Sequence, residues 1–526
     1  MDDSNDHLPT HQDEDGDSGD EYINPEDVEY VEDEEEGGDV PMDEDDSDDE
    51  KRPPPEDNSL GHSGTLQRAT PFSSTFLLTT ALHDEHSAHH AADASVFTLS
   101  LHPNFPNPPL AVSGGEDDHA YIFCPLPPMP GPELTEEQEQ EQAQTDGQAP
   151  TYDPKYPFHS ESFPPILLSG HTDSVVAVQF SRDGDMVATG GMDGSVRIWR
   201  RRRAGGAKKA AAGEAVVKEK PEEWRDWEFL TSLTTDSEIM WIDWHPKGPV
   251  LAAGCQDGTV WMWQLPSGNT MATFYSHTAA VTRGEFLPNG KYLITASEDC
   301  SVCLWNPSAS SAPIMKLTPG STTNFGNFGG EAEGGGITAL AVAPASNLCA
   351  IGGSNGAIRI VNLPQGNVVG QLKGHTKDES VEGLAFMDIL GLAGPGKNGE
   401  APSSTKGLLL VSCATDGKAI VWDVTTGTAR VEVAHDDVIT SVTPHPAPNR
   451  HLFTTASADT KLKTWDARQG QLVASHEGHV GTVLDSQVGR SAPGWGLEEE
   501  KRAADVKGGS VVVSAGDDGG VLVWRV

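Results

Sequence analysis

Residues 190–199 read GGMDGSVRIW, and the pair Asp193 and Trp199 within this stretch decides the fold because it recurs. Eight times along the 526-residue chain an Asp, or once an Asn, stands six positions before an aromatic or branched apolar residue. The other copies are GGEDDHAYIF (Asp117, Phe123), AGCQDGTVWMW (Asp257, Trp263), ASEDCSVCLW (Asp299, Trp305), GGSNGAIRIV (Asn355, Val361), CATDGKAIVW (Asp416, Trp422), ASADTKLKTW (Asp459, Trp465) and AGDDGGVLVW (Asp518, Trp524). One such match would be noise. Eight at constant spacing mark a repeat architecture, in which each unit is one supersecondary element.

Working outward, VVAVQF (Val175 to Phe180) and MVATGG (Met186 to Gly191) precede the first-quoted turn. Alternation of apolar and polar residues predicts strands, and Asp-Gly or Asn-Gly between two such runs predicts a two-residue hairpin. Each unit is therefore three or four antiparallel strands. A single unit cannot bury both faces, whereas a ring of units packs sheet on sheet and leaves only short edges.

The complete motif resembles the WD-repeat family of β-propellers. His171 precedes Asp193 by twenty-two residues, His277 keeps that interval to Asp299, and His435 stands two residues further from Asp459. His375 and His479 fit their turns, Asp416 and Asp518, once loop insertions are allowed. The resemblance implies a chain of hydrogen bonds in which the turn Asp accepts from the His and a Ser or Thr links the His to the Trp indole. The donor and acceptor inventory of these side chains suits such a chain. These histidines are accordingly expected to be structural staples of the blades rather than metal ligands or catalytic groups.

Eight motifs predict an all-β, eight-bladed propeller. An alternative ring of seven would omit the degenerate fifth repeat, with Asn355, Val361 and no His. Only Arg525 and Val526 follow Trp524, which leaves no outer strand for the eighth blade. STFLLTTAL (Ser74 to Leu82) is the free strand-like run expected to close it, so the propeller is expected to span residues 71–526.

Residues 1–70 differ in kind, with 27 Asp plus Glu against 3 Lys plus Arg. Such a segment buries too little apolar surface to offset its ordering entropy and is expected to be a disordered acidic tail. No secretory signal is visible, and no apolar run approaches the roughly 20 residues of a membrane span. Six scattered cysteines fit reduced thiols in a cytosolic or nuclear protein. Cys300 and Cys303 are expected to face opposite ways on one strand, against a metal or redox role. HDEHSAHH (His83 to His90) has no regular ligand interval and reads as a loop. Insertions are expected at 125–165, 200–222, 307–335, 390–406 and 490–508. The second begins with Arg200, Arg201, Arg202 and Arg203, a run that suits either a solvated loop or a nuclear-import or nucleic-acid contact.

No nucleophile–base pair, phosphate loop or metal box stands out, so no enzyme, cofactor or metal is expected. A propeller binds through its faces, and aligning the repeats on the turn marks three positions per blade around the narrow mouth. Just before the turn Asp stand Glu116, Met192, Gln256, Glu298, Ser354, Thr415, Ala458 and Asp517. At the entrance of the innermost strand stand Ser95, Ser174, Glu238, Ala280, Gly336, Ser380, Val438 and Thr482. Two residues earlier stand Asp93, Thr172, Asp236, Thr278, Gly334, Asp378, Asp436 and Val480. These twenty-four positions hold eight carboxylates (Asp93, Glu116, Asp236, Glu238, Glu298, Asp378, Asp436, Asp517) and no Lys or Arg. Outside the tail, acids outnumber bases by only 53 to 32, so the set is a biased sample. A carboxylate ring over low-dielectric walls focuses a negative potential that suits a basic peptide and repels nucleic acid.

The stretch MWIDWHPKGPVLAAGCQDGTVWMWQLPSGN (Met240 to Asn269), and IMWIDWHP (Ile239 to Pro246) above all, is similar to one WD-repeat branch, that of the angio-associated migratory cell protein and its fungal ribosome-assembly counterpart. The resemblance spans the propeller but not the insertions. It implies a dedicated chaperone, monomeric and without a membrane, that holds the basic N-terminal segment of a newly made large-subunit ribosomal protein (universal number sixteen, yeast number ten). Competing expectations are a WD-repeat factor that holds basic histone tails and a signalling or ubiquitin-ligation scaffold that binds through the blade sides.

Overall fold

The structure is a computed structural model, and it describes residues 90, 94–127, 158–203, 221–309, 311–321, 325–326, 328, 335–344, 347–391, 407–491 and 509–526. Residues 1–70, the run Ser74 to Leu82, Asp93, Gly334 and most of the expected insertions lie outside these. The described residues form eight antiparallel sheets, seven of four strands and one of three. In each the chain runs from the innermost strand outward. The innermost strands are Val96–Leu101, Val175–Phe180, Ile239–Trp244, Arg283–Phe286, Ile337–Val342, Val381–Asp388, Ile439–Pro444 and Val483–Arg490. Each touches the next, and the last touches the first, so eight blades close a ring. The fifth repeat is a full blade (Ile337–Val342, Leu348–Gly353, Ile358–Asn362, Asn367–Leu372), which removes the seven-bladed alternative. The eighth blade has three strands among the described residues, ending at Val521–Arg525.

The recurring Asp earns its place through the turn it builds. In all eight blades its side chain accepts the backbone N–H two residues on: Asp117 from His119, Asp193 from Ser195, Asp257 from Thr259, Asp299 from Ser301, Asn355 from Ala357, Asp416 from Lys418, Asp459 from Lys461 and Asp518 from Gly520. Asp and Asn carry the same acceptor oxygen at that reach, and Ser and Thr accept there more weakly, so the single Asn is conservative here. The hairpin holds three residues, not two. Met192, Asp193 and Gly194 lie between the strands, Gly194 N–H bonds to the Gly191 carbonyl at 3.2 Å, and Gly194 sits at φ 71°. This is the longer hairpin in which a turn ends in one left-handed residue. Where the motif lacks glycine, Asp118 (φ 64°), Cys300 (φ 59°) and Thr460 (φ 68°) take that conformation. Cys300 is thus a turn residue and does not share a strand with Cys303. All six cysteines are buried and none forms a disulfide.

Blade staples follow from the same carboxylate. In the fourth, sixth, seventh and eighth blades the chain has four members. Thr295 Oγ1 joins His277 Nε2 (2.8 Å) to Trp305 Nε1 (2.9 Å), and Ser412 joins His375 to Trp422 (2.7 and 2.8 Å). Thr455 joins His435 to Trp465 (2.8 and 2.9 Å), and Ser514 joins His479 to Trp524 (2.8 and 3.2 Å). The Nδ1 side meets Asp416, Asp459 and Asp518 at 2.8–3.1 Å, and lies 3.5 Å from Asp299. The second blade has Asp193, His171 and Thr189, but Trp199 Nε1 has no partner among the described residues. Burial lowers the pKa of His171, His375, His435 and His479, so each is neutral at pH 7, with one ring nitrogen donating and the other accepting. In the third blade Trp263 is buried without a His, and Asp257 reaches Trp261 through Thr259.

Two staples were hidden in stretches read as loops. His90, in HDEHSAHH, bonds Asp117 (2.7 Å) and Ser113 (3.0 Å), and is the histidine of the first blade. In the fifth blade Phe328, fully buried with Phe325, takes the histidine's seat: a Cβ on Gly353 would meet Phe328, as one on Gly115 would meet His90 and one on Gly191 His171. His90 and Phe328 both stand twenty-seven residues before their turn residue. That shared longer interval was the missed signal.

Blade-to-blade seams use the first residue of each innermost strand, or in the fourth blade Val281, two positions ahead of Arg283. Val96, Val175, Ile239, Val281, Ile337, Val381, Ile439 and Val483 are all β-branched and fully buried. Val175, Ile239 and Val381 press on Gly114, Gly190 and Gly352 of the preceding blade, where a Cβ would come within 2.7–2.8 Å. The residue four positions further on adds polar struts to the next blade. Ser100 accepts Phe180 N–H, Gln179 accepts Trp244 N–H, Asp243 accepts Phe286 N–H and Glu285 accepts Val342 N–H, at 2.8–3.3 Å. Asp485 accepts Leu99 N–H at 2.9 Å across the eighth-to-first seam. The IMWIDWHP stretch is explained by these seams. Trp244 Nε1 donates to the Gln179 carbonyl of the second blade (3.1 Å), Asp243 reaches the second and fourth, and His245 Nε2 meets the Gly290 carbonyl of the fourth (2.7 Å).

Three outcomes are expected. Thr460→Gly removes a β-branched residue from left-handed backbone and should raise unfolding free energy by about 0.5–1 kcal/mol in denaturant titration. Phe328→Ala empties a fully buried seat and should lower it by about 3–5 kcal/mol. Burial, reinforced by the Asp243 charge, pushes Glu285 up to about 8 from its ordinary 4.5. The stabilisation from holding that proton is complete below 4.5 and is lost as pH rises through about 8. Glu285→Gln, which keeps an acceptor for Val342, should match the parent near about pH 5 and exceed it near about pH 9.

Candidate functional site: an acidic mouth over the hub

One backbone hydrogen bond defines the mouth in every blade. The residue before the turn Asp or Asn donates its N–H to the carbonyl at the entrance of the innermost strand. The pairs are Glu116 with Ser95, Met192 with Ser174, Gln256 with Glu238, Glu298 with Ala280, Ser354 with Gly336, Thr415 with Ser380, Ala458 with Val438 and Asp517 with Thr482, at 2.8–3.0 Å. Residues aligned only by counting from the turn are thus bonded neighbours eight times over. In five blades the turn carboxylate also accepts the N–H that follows the staple histidine, from Thr172, Thr278, Thr376, Asp436 and Val480. The loop between blades is pinned at both ends, and the side chains between the pins point out.

Glu116, Asp236, Glu238, Glu298, Asp378, Asp436 and Asp517 are all exposed. Asp93 lies outside the described residues. Among the described residues the one mouth carboxylate of this set with an ion-pair partner is Asp378, 3.8 Å from the equally exposed Lys377. Exposed pairs of that kind contribute little. Two members are oriented by Ser95: Asp517 accepts its hydroxyl at 2.5 Å across the eighth-to-first seam, and Glu116 accepts its N–H at 3.2 Å within the first blade. The alignment missed three further acids because it took alternate loop positions. Asp173 and Asp437, exposed, accept the N–H of Ser174 and Val438, and half-buried Glu379 accepts the Thr415 hydroxyl.

Beneath the mouth the ring encloses a cavity of about 360 Å3. Arg283, Glu382 and Asp485 are its charged lining. Burial raises Asp485 to about 6, against the hydrogen bonds it accepts from Leu99 and Ser486. Burial lowers the Arg283 pKa, against the charges of Glu382 and Asp485. Among the described residues no three His, Cys, Asp or Glu gather as a metal site.

The arginine run lies elsewhere. Arg200 and Arg202 pair with Glu228, Arg201 and Arg203 with Asp185, and the buried Arg201 guanidinium lies 3.4 Å from the centre of the Trp224 ring. Two carboxylates thus engage all four cations against the second blade, so the run begins as a strand edge and not as a free basic tail.

Residues 164–200, 227–264, 268–306 and 428–466 match the family described as WD domain, G-beta repeat (WD40). Each matched stretch reaches the turn and third strand of a blade. The human angio-associated migratory cell protein is 27% identical over 414 residues, covering 76% of this chain and 74% of its own. The ribosome assembly protein SQT1 of Saccharomyces cerevisiae is 24% identical over 457 residues, covering 82% and 84%. The crystal structure of the Saccharomyces cerevisiae Sqt1 superposes with a TM-score of 0.59 at 20% identity, covering 83% of this chain and 96% of that one. Chaetomium thermophilum Sqt1, solved bound to the N-terminus of the ribosomal protein L10, superposes with a TM-score of 0.58 at 23% identity, covering 83% and 98%. Eight turns with one carboxylate geometry, eight closed blades and these matches show a chain that carries WD40 repeats and folds as an eight-bladed β-propeller.

Proposed function

We propose that this propeller is a ribosome-assembly chaperone that captures the basic N-terminal segment of a newly made large-subunit ribosomal protein, of the L10 (universal sixteen) kind, at its acidic mouth. The observation that carries the reading is the set of exposed mouth carboxylates, six of the seven described without an ion-pair partner, held on one face by a repeated backbone bond. Support from relatives is of the same kind: a ribosome assembly protein aligns along most of the chain, and a propeller of this shape has been solved with a ribosomal-protein N-terminus bound.

The mechanism needs no bond-making. A ribosomal protein free of RNA carries cations meant for phosphates. The mouth carboxylates stand in for phosphate oxygens, steer the segment in over a Debye length of roughly 8 Å and keep it from indiscriminate contact with nucleic acid. Ribosomal RNA then competes with denser negative charge and takes the cargo. This assigns the chain to the cytoplasm, where the cargo is made, with no nucleic acid at the mouth and no membrane.

Purification of the full chain at low ionic strength, followed by mass spectrometry, should recover this ribosomal protein; core histones in its place would favour the histone-tail reading. Glu238→Lys with Glu298→Lys should leave the melting temperature nearly unchanged, because both sites are exposed. The same pair should weaken binding of the L10 N-terminal peptide by about tenfold or more at low salt and flatten its salt dependence. Unchanged binding at low salt would show that the segment docks elsewhere.

A further inference from the structure

The channel under the mouth is two-sided. The second residue of each innermost strand, or Thr282 just ahead of the fourth, is half-buried, and six of the eight line the hub cavity. In four consecutive blades, the eighth, first, second and third, that residue is Leu484, Phe97, Val176 and Met240. In the other four it is Thr282, Thr338, Glu382 and Thr440. The three threonines are already occupied: their hydroxyls donate to the Ile337, Val381 and Val483 carbonyls of the following blade at 2.6–2.7 Å. The apolar four have no hydrogen-bonding role of that kind, and of them Met240 also packs against the core around Trp241 and Phe274. Its rim continues it, because the two large apolar residues exposed at the mouth, Val480 (87% exposed) and Met192 (39%), belong to the eighth and second blades. Four of these apolar side chains line the cavity of about 360 Å3 together with Arg283, Glu382 and Asp485, and two more stand at the rim of the same blades, beside the mouth carboxylates.

We infer that this half of the channel is a specificity pocket for one large apolar side chain, aromatic or aliphatic, carried by the cationic segment at the mouth. The inference rests on the mouth reading and deepens it. Depth fits: the second strand residue lies about 7 Å below the rim at roughly 3.3 Å per residue, within reach of a single side chain. The volume fits as well, being in the range of small-ligand pockets. The carboxylates bind any basic chain, so charge by itself discriminates poorly among the many basic proteins of a cell. An apolar seat beside them selects a segment that interrupts its cations with a hydrophobic residue, and it also holds that segment in register.

The test uses two synthetic fifteen-residue lysine-rich peptides that differ by one central residue, Trp or Ala, titrated by fluorescence anisotropy. The variants are Met192→Ser with Val480→Ser at the rim, and Val176→Thr with Leu484→Thr in the channel. The channel pair installs the residue found at the same position of the fourth, fifth and seventh blades. The Trp peptide should bind the parent about tenfold more tightly than the Ala peptide, and either pair of substitutions should erase that difference. The slope of log affinity against log salt should stay at the parental value in both variants, whereas charge reversal at Glu238 and Glu298 flattens it. Equal binding of the two peptides by the parent, or a preference for Trp that survives both variants, overturns the pocket while leaving the mouth reading intact. Failure of both peptides to bind at low salt overturns the mouth reading and the pocket with it.

Discussion

The turn carboxylate is the interaction on which the rest of this structure depends. One side chain closes the hairpin by accepting the N–H two residues on, receives the staple histidine, and in five blades also takes the N–H that opens the next loop. Core and surface are therefore fixed by the same group. The imidazole below it leads through a hydroxyl to the buried indole. The residues on either side of it are the mouth. A charged acceptor is apt here because charge-assisted hydrogen bonds are roughly twice as strong as neutral ones. Several donors converging on one carboxylate also hold it ionised against partial burial.

This arrangement separates stability from binding by a single residue. Asp193, Asp299 and Asp518 are committed to the turn, while Met192, Glu298 and Asp517 beside them face solvent. Mouth side chains such as Met192 and Glu298 can therefore be exchanged without touching the seams, which rest on buried β-branched residues and small partners, whereas Asp517 also bonds Ser95 across the eighth-to-first seam. The polar struts are the exception in the interior. Asp243, Glu285 and Asp485 place carboxyl groups between blades to satisfy backbone N–H groups, at the cost of desolvation that raises all three pKa values. They tie the hub together, and their protonation is coupled to folding.

Most of the architecture was legible because it is periodic. The interval between turn Asp and Trp recurs whatever the loops do, so the number of blades and the mouth register could be counted. What was missed falls where periodicity fails. His90 and Phe328 are displaced by longer loops, and Phe328 replaces a hydrogen-bonding staple by an apolar one, so neither matches the pattern of the other repeats. Trp199 matches the pattern yet stands outside its staple. The three-residue hairpin was shortened by reading Asp-Gly alone, when Met192 also belongs to the turn. The arginine run looked available because its partners, Asp185 and Glu228, are distant in sequence and come together only when Ser195–Arg201 pairs with its neighbours.

By itself the sequence determined the repeat, the ring and the residues that build each turn, because these depend on spacing along the chain and on side-chain chemistry. Only the tertiary structure decided which acidic side chains remain unpaired, where the first and fifth blades find their staples, and that four consecutive blades bring an apolar residue to the same level of the hub. Those properties depend on neighbours supplied by other blades. The channel gathers eight side chains from positions hundreds of residues apart, and its two-sidedness exists only once the ring has closed.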